Sequence, residues 1–347
     1  MYFDPKPKDR IEDFFDMEDE LKAFIESVKK EKLIVVTGFR RYGKTSLILT
    51  GLNVSGLNYL FLDCRLLPSG MISINSFLDL LEDELSRRSW VRKILRGIEG
   101  VSIGDIGIRI KKRDRNTLIR IMECLSGNIL VLDEAQELRR SNYNFNGLLA
   151  YIYDHLDSRI IVSGSKIGLL YSFLKINDPE APLFGRPYVE IKLRRLDFKK
   201  AREFLEKGFE QEKVEVSSEV IDEAIRSFDG VIGWLTYFGY SYTRKGESID
   251  SIMEKACKLS ASEVDHALEI YGIGRNRYVS VLKIVASGSG LRWSEIKRAL
   301  EAKYGRIPNN TLSNIIRNLL NQGLIERDDE LYKVSDQILR ISILRYL

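Results

Sequence analysis

This chain carries Gly38-Phe39-Arg40-Arg41-Tyr42-Gly43-Lys44-Thr45, a run that fits the phosphate-binding pattern G-x-x-x-x-G-K-[ST]. The apolar run before it predicts a buried strand over residues 33–37, and the run after it predicts a helix over 46–52. A glycine-rich turn between a strand and a helix lets backbone N–H groups surround phosphate oxygens at the positive end of the helix dipole. We therefore expect these eight residues, together with Ser46, to bind a nucleotide.

Two side chains of this loop are expected to contact the phosphates and the magnesium ion. Lys44 is expected to reach the β- and γ-phosphates, and the Thr45 hydroxyl is expected to coordinate Mg²⁺. The apolar run at 129–133 predicts a second buried strand, which ends in the acidic pair Asp133-Glu134. Parallel α/β sheets bind ligands at the carboxyl ends of their strands, so Asp133 would hold Mg²⁺, directly or through water. Glu134 would then orient or deprotonate the attacking water.

Strand and helix signals alternate through the first 196 residues, which predicts the α/β class with a mainly parallel sheet. Ile106, Ile108 and Ile110 alternate with polar or small residues, as in a half-exposed strand of a hairpin. The expected helices are 14–29, 46–52, 74–94, 117–125 and 144–156, and the other expected strands are 57–63, 159–163 and 188–193.

The strand signal then stops, and two further domains are expected. Residues 197–274 predict a small helical domain with helices at 198–209, 217–228, 234–242, 249–259 and 262–271, the first two capped by Asp197 and Ser217. Residues 275–347 predict a winged helix, with helices at 278–286, 293–303 and 310–321 before a β-hairpin at 324–334. The fold class is therefore an α/β P-loop core over 1–196, followed by a helical domain and a winged-helix domain.

The charge distribution points to the winged helix as the place to seek a polyanion. Residues 275–347 contain 13 Lys or Arg and 7 Asp or Glu, a net of +6, whereas residues 1–274 carry a net of −2. On the helix expected to enter a groove, Asn310, Asn314, Arg317 and Asn318 are candidates to read base edges. The candidates to contact phosphates are Arg292, Lys297, Arg298, Lys303, Arg306 and Lys333. The alternative is that this domain docks a protein.

Several classes of protein are disfavoured by composition. Three scattered cysteines match no metal-ligand spacing, and no apolar run approaches the roughly 18 residues of a membrane helix, so we expect a cytoplasmic protein. His155 and His266 are isolated in sequence and suggest no catalytic pair. The basic run at 111–115 is interpreted as the solvated end of the hairpin.

The whole chain resembles the archaeal ATPase family, in the STAND branch of P-loop NTPases and related to AAA+ proteins. Besides the phosphate loop, the resemblance is carried by Phe15-Asp16-Met17-Glu18-Asp19-Glu20-Leu21, Leu132-Asp133-Glu134-Ala135-Gln136-Glu137, Ser163-Gly164-Ser165-Lys166-Ile167-Gly168-Leu169-Leu170 and Pro182-Leu183-Phe184-Gly185-Arg186. It implies an ATP- or ADP-binding core, a helical lid and a winged helix, working as a nucleotide-driven switch that can assemble in the ATP state.

The resemblance also implies roles for individual residues. The segment around Glu20 and Leu21 would frame the adenine, Ser165 would sense the γ-phosphate, and Arg186 would stabilise phosphate charge or couple it to the lid. Relatives usually have a Gly-x-Pro turn in the lid, but this chain reads Gly230-Val231-Ile232, so a lid contact to the nucleotide is left open.

The sequence supports two functions. The first is a slow, Mg²⁺-dependent ATPase switch, and the second is a winged-helix DNA-binding regulator in which nucleotide is only structural or regulatory. The guanine-reading tetrapeptide Asn-Lys-x-Asp is absent from the chain, which favours ATP over GTP. A phosphotransferase is disfavoured because the sequence shows no second substrate site.

Overall fold

The computed structural model describes residues 1–104 and 107–347. Its amino-terminal part contains seven strands among the described residues: β1 Leu33–Thr37, β2 Tyr59–Asp63, β3 Val101–Ile103, β4 Ile108–Ile110, β5 Ile129–Asp133, β6 Arg159–Gly164 and β7 Val189–Lys192. The helices in this part are α1 Glu18–Lys30, α2 Lys44–Ser55, α3 Ile74–Arg87, α4 Ser89–Ile94, α5 Arg115–Cys124, α6 Phe145–His155 and α7 Ile167–Leu174.

Five of these strands form one parallel sheet in the order β2-β5-β6-β1-β7. Every residue of β1 and β5 is buried, because helices cover both faces of the sheet. The pairing aligns Asp63 with Asp133 and Thr37 with Gly164. The carboxyl ends of β1, β2, β5 and β6 therefore meet at one edge, which confirms the predicted α/β core.

The two faces of the sheet contribute to different hydrophobic cores. Leu33, Val35, Leu132 and other residues of one face pack against helices α3 to α7. The opposite face, which includes Ile34 and Val36, packs together with α1, α2 and the helices that follow the sheet in sequence. The helical lid is thus joined to the core by shared apolar packing.

The lid consists of α8 Phe198–Glu212, α9 Ser218–Phe228, α10 Ile232–Lys245 and α11 Ile249–Glu269. Asp197 caps α8 by accepting from the Lys200 amide, as expected. The expected break between helices at 249–259 and 262–271 was wrong, because α11 runs through 21 residues. Ser260 and Ala261 lie buried in the middle of α11, and neither residue interrupts a helix, since alanine has the highest helix propensity and the stretch contains no glycine or proline.

The winged helix follows as α12 Arg275–Ser287, β8 Leu291–Arg292, α13 Trp293–Tyr304, α14 Asn309–Asn321, β9 Ile325–Asp328, β10 Leu331–Val334 and α15 Gln337–Tyr346. Its sheet has the antiparallel order β8-β10-β9. Helix α15 was not predicted. It joins two cores, since Ile338 packs with the lid while Leu339 and Ile343 pack with the winged helix.

Other expectations need correction at the level of single elements. The helix predicted over 14–29 begins only at Glu18, after Met17 in a left-handed conformation, and the helix predicted over 74–94 breaks at Arg88. The predicted hairpin is present as β3 and β4, although Ile106 lies outside the described residues. Across residues 1–104 and 107–347, no helix has the length and apolar character needed to cross a membrane.

Candidate functional site

The loop between β1 and α2 has the backbone of a phosphate cradle. Gly38, Arg41 and Gly43 all adopt positive φ angles, of 152°, 69° and 87°. A side chain at Gly38 would also place its Cβ 3.1 Å from the Cβ of Leu193, so both conformation and space require glycine there. The loop ends where Lys44 begins α2, so the amino terminus of that helix faces the cradle.

Lys44 is buried and turned back onto its own loop. Its Nζ donates to the carbonyl oxygens of Gly38 at 2.9 Å and Phe39 at 3.1 Å. Burial lowers the pKa of Lys44, against the opposing effect of the nearby Glu134 and Asp133 carboxylates. A buried ammonium held only by neutral carbonyls is suited to exchange them for phosphate oxygens, which carry full charge.

Thr45 and Asp133 meet at the sheet edge, as the sequence predicted for a shared magnesium site. The Thr45 hydroxyl donates to Asp133 Oδ2 at 2.9 Å, and the Ser163 hydroxyl donates to Oδ1. Asp133 is fully buried, and this burial raises its pKa despite the two hydroxyl donors. A bound divalent cation would stabilise the buried, ionised carboxylate. The Asp133 carboxylate and the Thr45 hydroxyl are oxygen ligands of the kind that Mg²⁺ prefers.

Glu134 lies beside this pair in a left-handed conformation, with φ of 52°. Its Oε2 accepts from Gln136 Nε2 at 2.6 Å, from the Ser165 hydroxyl at 2.7 Å and from the Ser165 amide at 3.1 Å. Burial acts to raise the pKa of Glu134, but the charge of Lys44 and these hydrogen bonds outweigh it, so the pKa lies below its ordinary value. The carboxylate is therefore ionised, and its two hydrogen bonds from Ser165 fix the orientation of the side chain.

A cavity of about 460 Å³ opens onto these groups. That volume lies in the usual range for small-molecule sites. The loop and sheet edge contribute Arg40, Arg41, Gly43, Lys44, Thr45, Ser46, Glu134 and Ser165 to its lining. Phe39 and Tyr42 do not line it; their rings pack edge to face at 5.7 Å between centroids.

The lid closes one side of the cavity through Ile232, Gly233, Thr236 and Tyr237. The amide of Gly233 donates to the Arg41 carbonyl at 2.9 Å, and a Cβ on Gly233 would lie 2.7 Å from the Arg41 Cβ. The lid thus contacts the phosphate loop directly after the turn Gly230-Val231-Ile232, which contains no proline.

Arg41 strengthens the same junction with its side chain. Its guanidinium lies 3.9 Å from the Trp234 ring centroid, and Nη2 donates to Glu263 Oε1 at 2.9 Å. Arg40 pairs with the same carboxylate at 3.0 Å. Two residues of the phosphate loop are therefore tied to α10 and α11 of the lid.

The amino-terminal segment forms a wall of the cavity that the sequence did not predict. Residues 4–8 line it, and the Lys8 amide donates to the Ser46 hydroxyl at 3.0 Å. Phe3, fully buried, anchors this segment between Gly208 of α8 and Gly239 of α10, where a Cβ on either glycine would lie 2.3 Å from its ring. Nothing local in the sequence signals a contact between residues more than 200 positions apart.

Further residues lie elsewhere than expected. Phe14, Phe15 and Met17 line the cavity, whereas Glu20 and Leu21 do not. Arg65, which was not among the expected site residues, also lines it, paired with Asp63 through Nη2 at 2.7 Å and 3.9 Å from Asp133 Oδ2. The sequence indicated Arg65 only by its position two residues after the end of β2.

Arg186 does not line the cavity and has partners of its own. Its Nε donates to Asp154 Oδ1 at 2.9 Å, and its guanidinium lies 6.0 Å from the Tyr153 ring centroid. Hydrogen bonding to Asp154 raises the pKa of Arg186. Its assigned role in stabilising phosphate charge stays a prediction.

On the winged helix, Asn310, Asn314 and Arg317 are exposed along one face of α14. Asn318 is half-buried and donates to the Tyr278 hydroxyl at 2.7 Å. The carboxyl end of α14 packs against α7, where a Cβ on Gly168 would lie 2.6 Å from the Cα of Asn321. The winged helix therefore rests against the core directly after Ser165.

Comparison with known proteins gives two family matches along the chain. Residues 14–238 match the family described as an ATPase domain predominantly from Archaea. Residues 273–335 match the C-terminal winged helix-turn-helix domain of MCM proteins.

Individual relatives agree with those matches. The solved structure of a Walker-type ATPase of Pyrococcus abyssi is similar to this chain with a TM-score of 0.85 at 31% identity, covering 99% of each chain. An uncharacterized protein of Methanocaldococcus jannaschii is 25% identical over 321 residues, which are 90% of this chain and 62% of that relative's length.

Proposed function

Because the chain belongs to the family of ATPase domains found predominantly in Archaea, we propose that it binds ATP with Mg²⁺, hydrolyses it slowly and acts as a nucleotide-driven switch. The observation that carries this proposal is the position of Glu134. Its ionised carboxylate lies next to the Thr45–Asp133 pair and faces the cavity that the phosphate loop lines. A site that only bound phosphate would not need a second carboxylate there.

In this proposal different residues of the loop bind the phosphates and the magnesium ion. Lys44 exchanges its carbonyl partners for phosphate oxygens, and the backbone amides from Gly38 to Ser46 surround the phosphates. Thr45 and Asp133 would hold Mg²⁺, which supplies charge neutralisation at the phosphates when it is bound.

Glu134 is proposed as the group that accepts a proton from water. The charge of Lys44 and the hydrogen bonds from Gln136 and Ser165 lower its pKa, and Ser165 also links the base to the segment that leads into α7. We propose that Arg186 leaves its hydrogen bond with Asp154 and stabilises the negative charge of the phosphates instead.

The switch is proposed to operate through the contacts between the loop and the lid. Arg41 ties the phosphate loop to α10 and α11, so a change in loop conformation on ATP binding or hydrolysis alters lid packing. We propose three units, a core over 1–196, a lid over 197–274 and a winged helix over 275–347, with assembly in the ATP state.

The alternative is a DNA-binding regulator in which nucleotide is structural. The exposed row of Asn310, Asn314 and Arg317 favours contact with double-stranded DNA through α14. The half-buried Asn318 is engaged with Tyr278 and would have to release it first. A protein partner at the same face is the other candidate.

Steady-state phosphate release from Mg²⁺-ATP tests the proposed function. We expect Glu134→Gln to bind ATP normally while its turnover falls by about 10²- to 10⁴-fold, the usual contribution of a general base. Glu137→Gln is the matched control, because Glu137 lines the same cavity but pairs with Arg140 at 2.7 Å. Its turnover should stay near that of the wild type.

Adding duplex DNA to the same assay separates the two functions. Turnover that depends on Glu134 and rises with DNA supports a DNA-linked ATPase. Equal turnover in wild type and Glu134→Gln rejects the assigned base, and duplex binding without turnover supports the regulator instead.

A further inference from the structure

A strongly basic stretch of the sequence lies on the core, apart from the winged helix. We define the basic segment as residues 86–115, which run from the end of α3 through α4 and the β3–β4 hairpin to the start of α5. It contains ten Lys or Arg and three Asp or Glu, a net of +7 in 30 residues. In the winged helix, the net charge of +6 lies within the 32 residues 275–306. The core therefore offers a polyanion a second basic segment, at least as dense in charge as the one on the winged helix.

Many cations of the basic segment have no acidic partner. Three cations are exceptions, since Arg113 pairs with Asp79 at 2.5 Å and with Glu82 at 3.3 Å, Arg88 pairs with Glu84 at 2.7 Å, and Lys112 pairs with Asp114 at 3.5 Å. Among the described residues of the segment, 86–104 and 107–115, six exposed cations have no carboxylate at ion-pair distance: Arg87, Lys93, Arg96, Arg109, Lys111 and Arg115. Cations that are exposed and unpaired can bind phosphates without first giving up a salt bridge.

Hydrogen bonds and apolar packing join the described parts of the segment, residues 86–104 and 107–115, to α3 and to each other. The Ile108 amide donates to the Ser86 hydroxyl at 2.9 Å, and the Ile110 amide donates to Glu82 Oε2 at 2.7 Å, which fixes β4 along the end of α3. The Lys111 amide donates to the Gly100 carbonyl at 2.7 Å. Val91 and Leu95 bury one face of α4 in the core.

A cleft of about 340 Å³ opens where the basic segment ends. Arg115 lines it from the first turn of α5, and Tyr143 and Tyr151 line it from the side of α6. Both rings are positioned by neighbours: Tyr143 packs edge to face on Phe145 at 4.8 Å, and the Tyr151 hydroxyl donates to Glu123 at 2.6 Å. Asn142 and Asn144 complete the polar lining.

We propose that the basic segment and this cleft form a binding surface for single-stranded nucleic acid, separate from the nucleotide cavity and from the winged helix. The unpaired cations bind the phosphate backbone, and the cleft receives an unstacked base against its tyrosine rings. Single-strand binding proteins combine these two elements, a positively charged track and aromatic stacking. A duplex keeps its bases stacked and paired, so it cannot insert one into the cleft without opening.

The experiment measures fluorescence anisotropy of labelled oligothymidylate and oligouridylate of about 12 nucleotides with the full-length protein, without ATP, over a series of salt concentrations. A duplex of the same length is the comparison ligand. Because no nucleotide is present, the result does not depend on the proposed ATPase activity. Unequal binding of the two single strands identifies DNA or RNA as the preferred ligand, and either preference supports the surface.

Removing cations of the basic segment tests whether the single strand binds there. In the triple variant Lys93→Gln, Arg96→Gln, Lys111→Gln, we expect the slope of log affinity against log salt to fall by about 2, at about 0.7 for each phosphate that the protein no longer neutralises. The matched control removes three exposed cations of α1, Lys22→Gln, Lys29→Gln and Lys30→Gln, which have no role in either proposed site, and should keep the wild-type slope. An unchanged slope in the first variant, or an equal fall in both, overturns the proposal.

A second pair of variants tests whether a base stacks on Tyr151 in the cleft. We expect Tyr151→Ala to bind the single strand about 5- to 100-fold more weakly, while Tyr151→Phe, which keeps the ring, binds like the wild type. Circular dichroism and thermal unfolding establish that each variant is folded. Equal binding by both variants and the wild type, or tighter binding of the duplex than of either single strand, overturns the assignment to single-stranded nucleic acid.

Discussion

Replacing Phe3 by alanine tests how the amino-terminal segment is fixed to the lid. The ring is fully buried, with Phe209 and Phe204 at centroid distances of 5.1 and 5.8 Å. Removing a buried phenylalanine ring costs about 3–5 kcal/mol of unfolding free energy, from the forfeited transfer energy and the cavity left behind. The segment that Phe3 anchors also lines the nucleotide cavity, so nucleotide affinity should fall in the same variant.

Gly239→Ala perturbs the same contact from the other side. The added Cβ would lie 2.3 Å from the Phe3 ring, so the ring must move, and overpacking of this kind costs about 1–3 kcal/mol. Once the ring is gone, the clash disappears and alanine becomes the better helix residue by up to about 1 kcal/mol. We therefore expect the double variant Phe3→Ala, Gly239→Ala to be about 1–3 kcal/mol more stable than the sum of the single effects.

Urea denaturation followed by tryptophan fluorescence measures this coupling, since Trp234 lies in the same helix as Gly239. Nucleotide affinity is measured in parallel with a fluorescent ATP analogue. Additive effects of the two substitutions, within about 0.5 kcal/mol, would refute the packing of Phe3 against Gly239. A loss of stability without any loss of nucleotide affinity would refute the role of the segment as a cavity wall.

Three more predictions follow from single contacts. Ser165→Ala removes a hydroxyl that stabilises ionised Glu134, so the pKa of Glu134 rises and the acid limb of turnover moves to higher pH; Ser165→Thr should not move it. Arg41→Lys removes the stacking on Trp234 and lowers the unfolding free energy by about 1–2 kcal/mol, measured by urea denaturation. Burial raises the pKa of Asp336 from 3.8 to about 6, so the native state holds that proton more tightly and stability falls as pH rises across this interval. Asp336→Asn should abolish the fall, and an unchanged pH dependence of the urea midpoint would contradict this.

The sequence predicted those parts of the molecule whose signals are local. The phosphate loop is a contiguous pattern, and Asp133 and Glu134 end a fully apolar strand, so their place at the sheet edge follows from the parallel topology. The winged helix was predictable for the same reason, because its helices and hairpin each have a clear period and clear turns.

The rest depends on contacts between distant parts of the chain. The place of the amino-terminal segment is set by two glycines more than 200 residues away, and Arg65 comes near Asp133 only because β2 pairs with β5. Helix α15 carries apolar residues on several faces because it serves two cores at once, which hides the usual amphipathic period.

The unbroken length of α11 has a mechanical consequence. Glu263, near its carboxyl end, holds Arg40 and Arg41, while Val264 and Leu268 belong to the winged-helix core. At about 1.5 Å per residue the helix is about 31 Å long, so a tilt of about 10° displaces one end by about 5 Å relative to the other. Glu263 and Val264 lie next to each other near the carboxyl end of α11, so any displacement of Glu263 at the phosphate loop would displace the winged-helix contacts of Val264 and Leu268 by a similar amount, because the helix has no break between them.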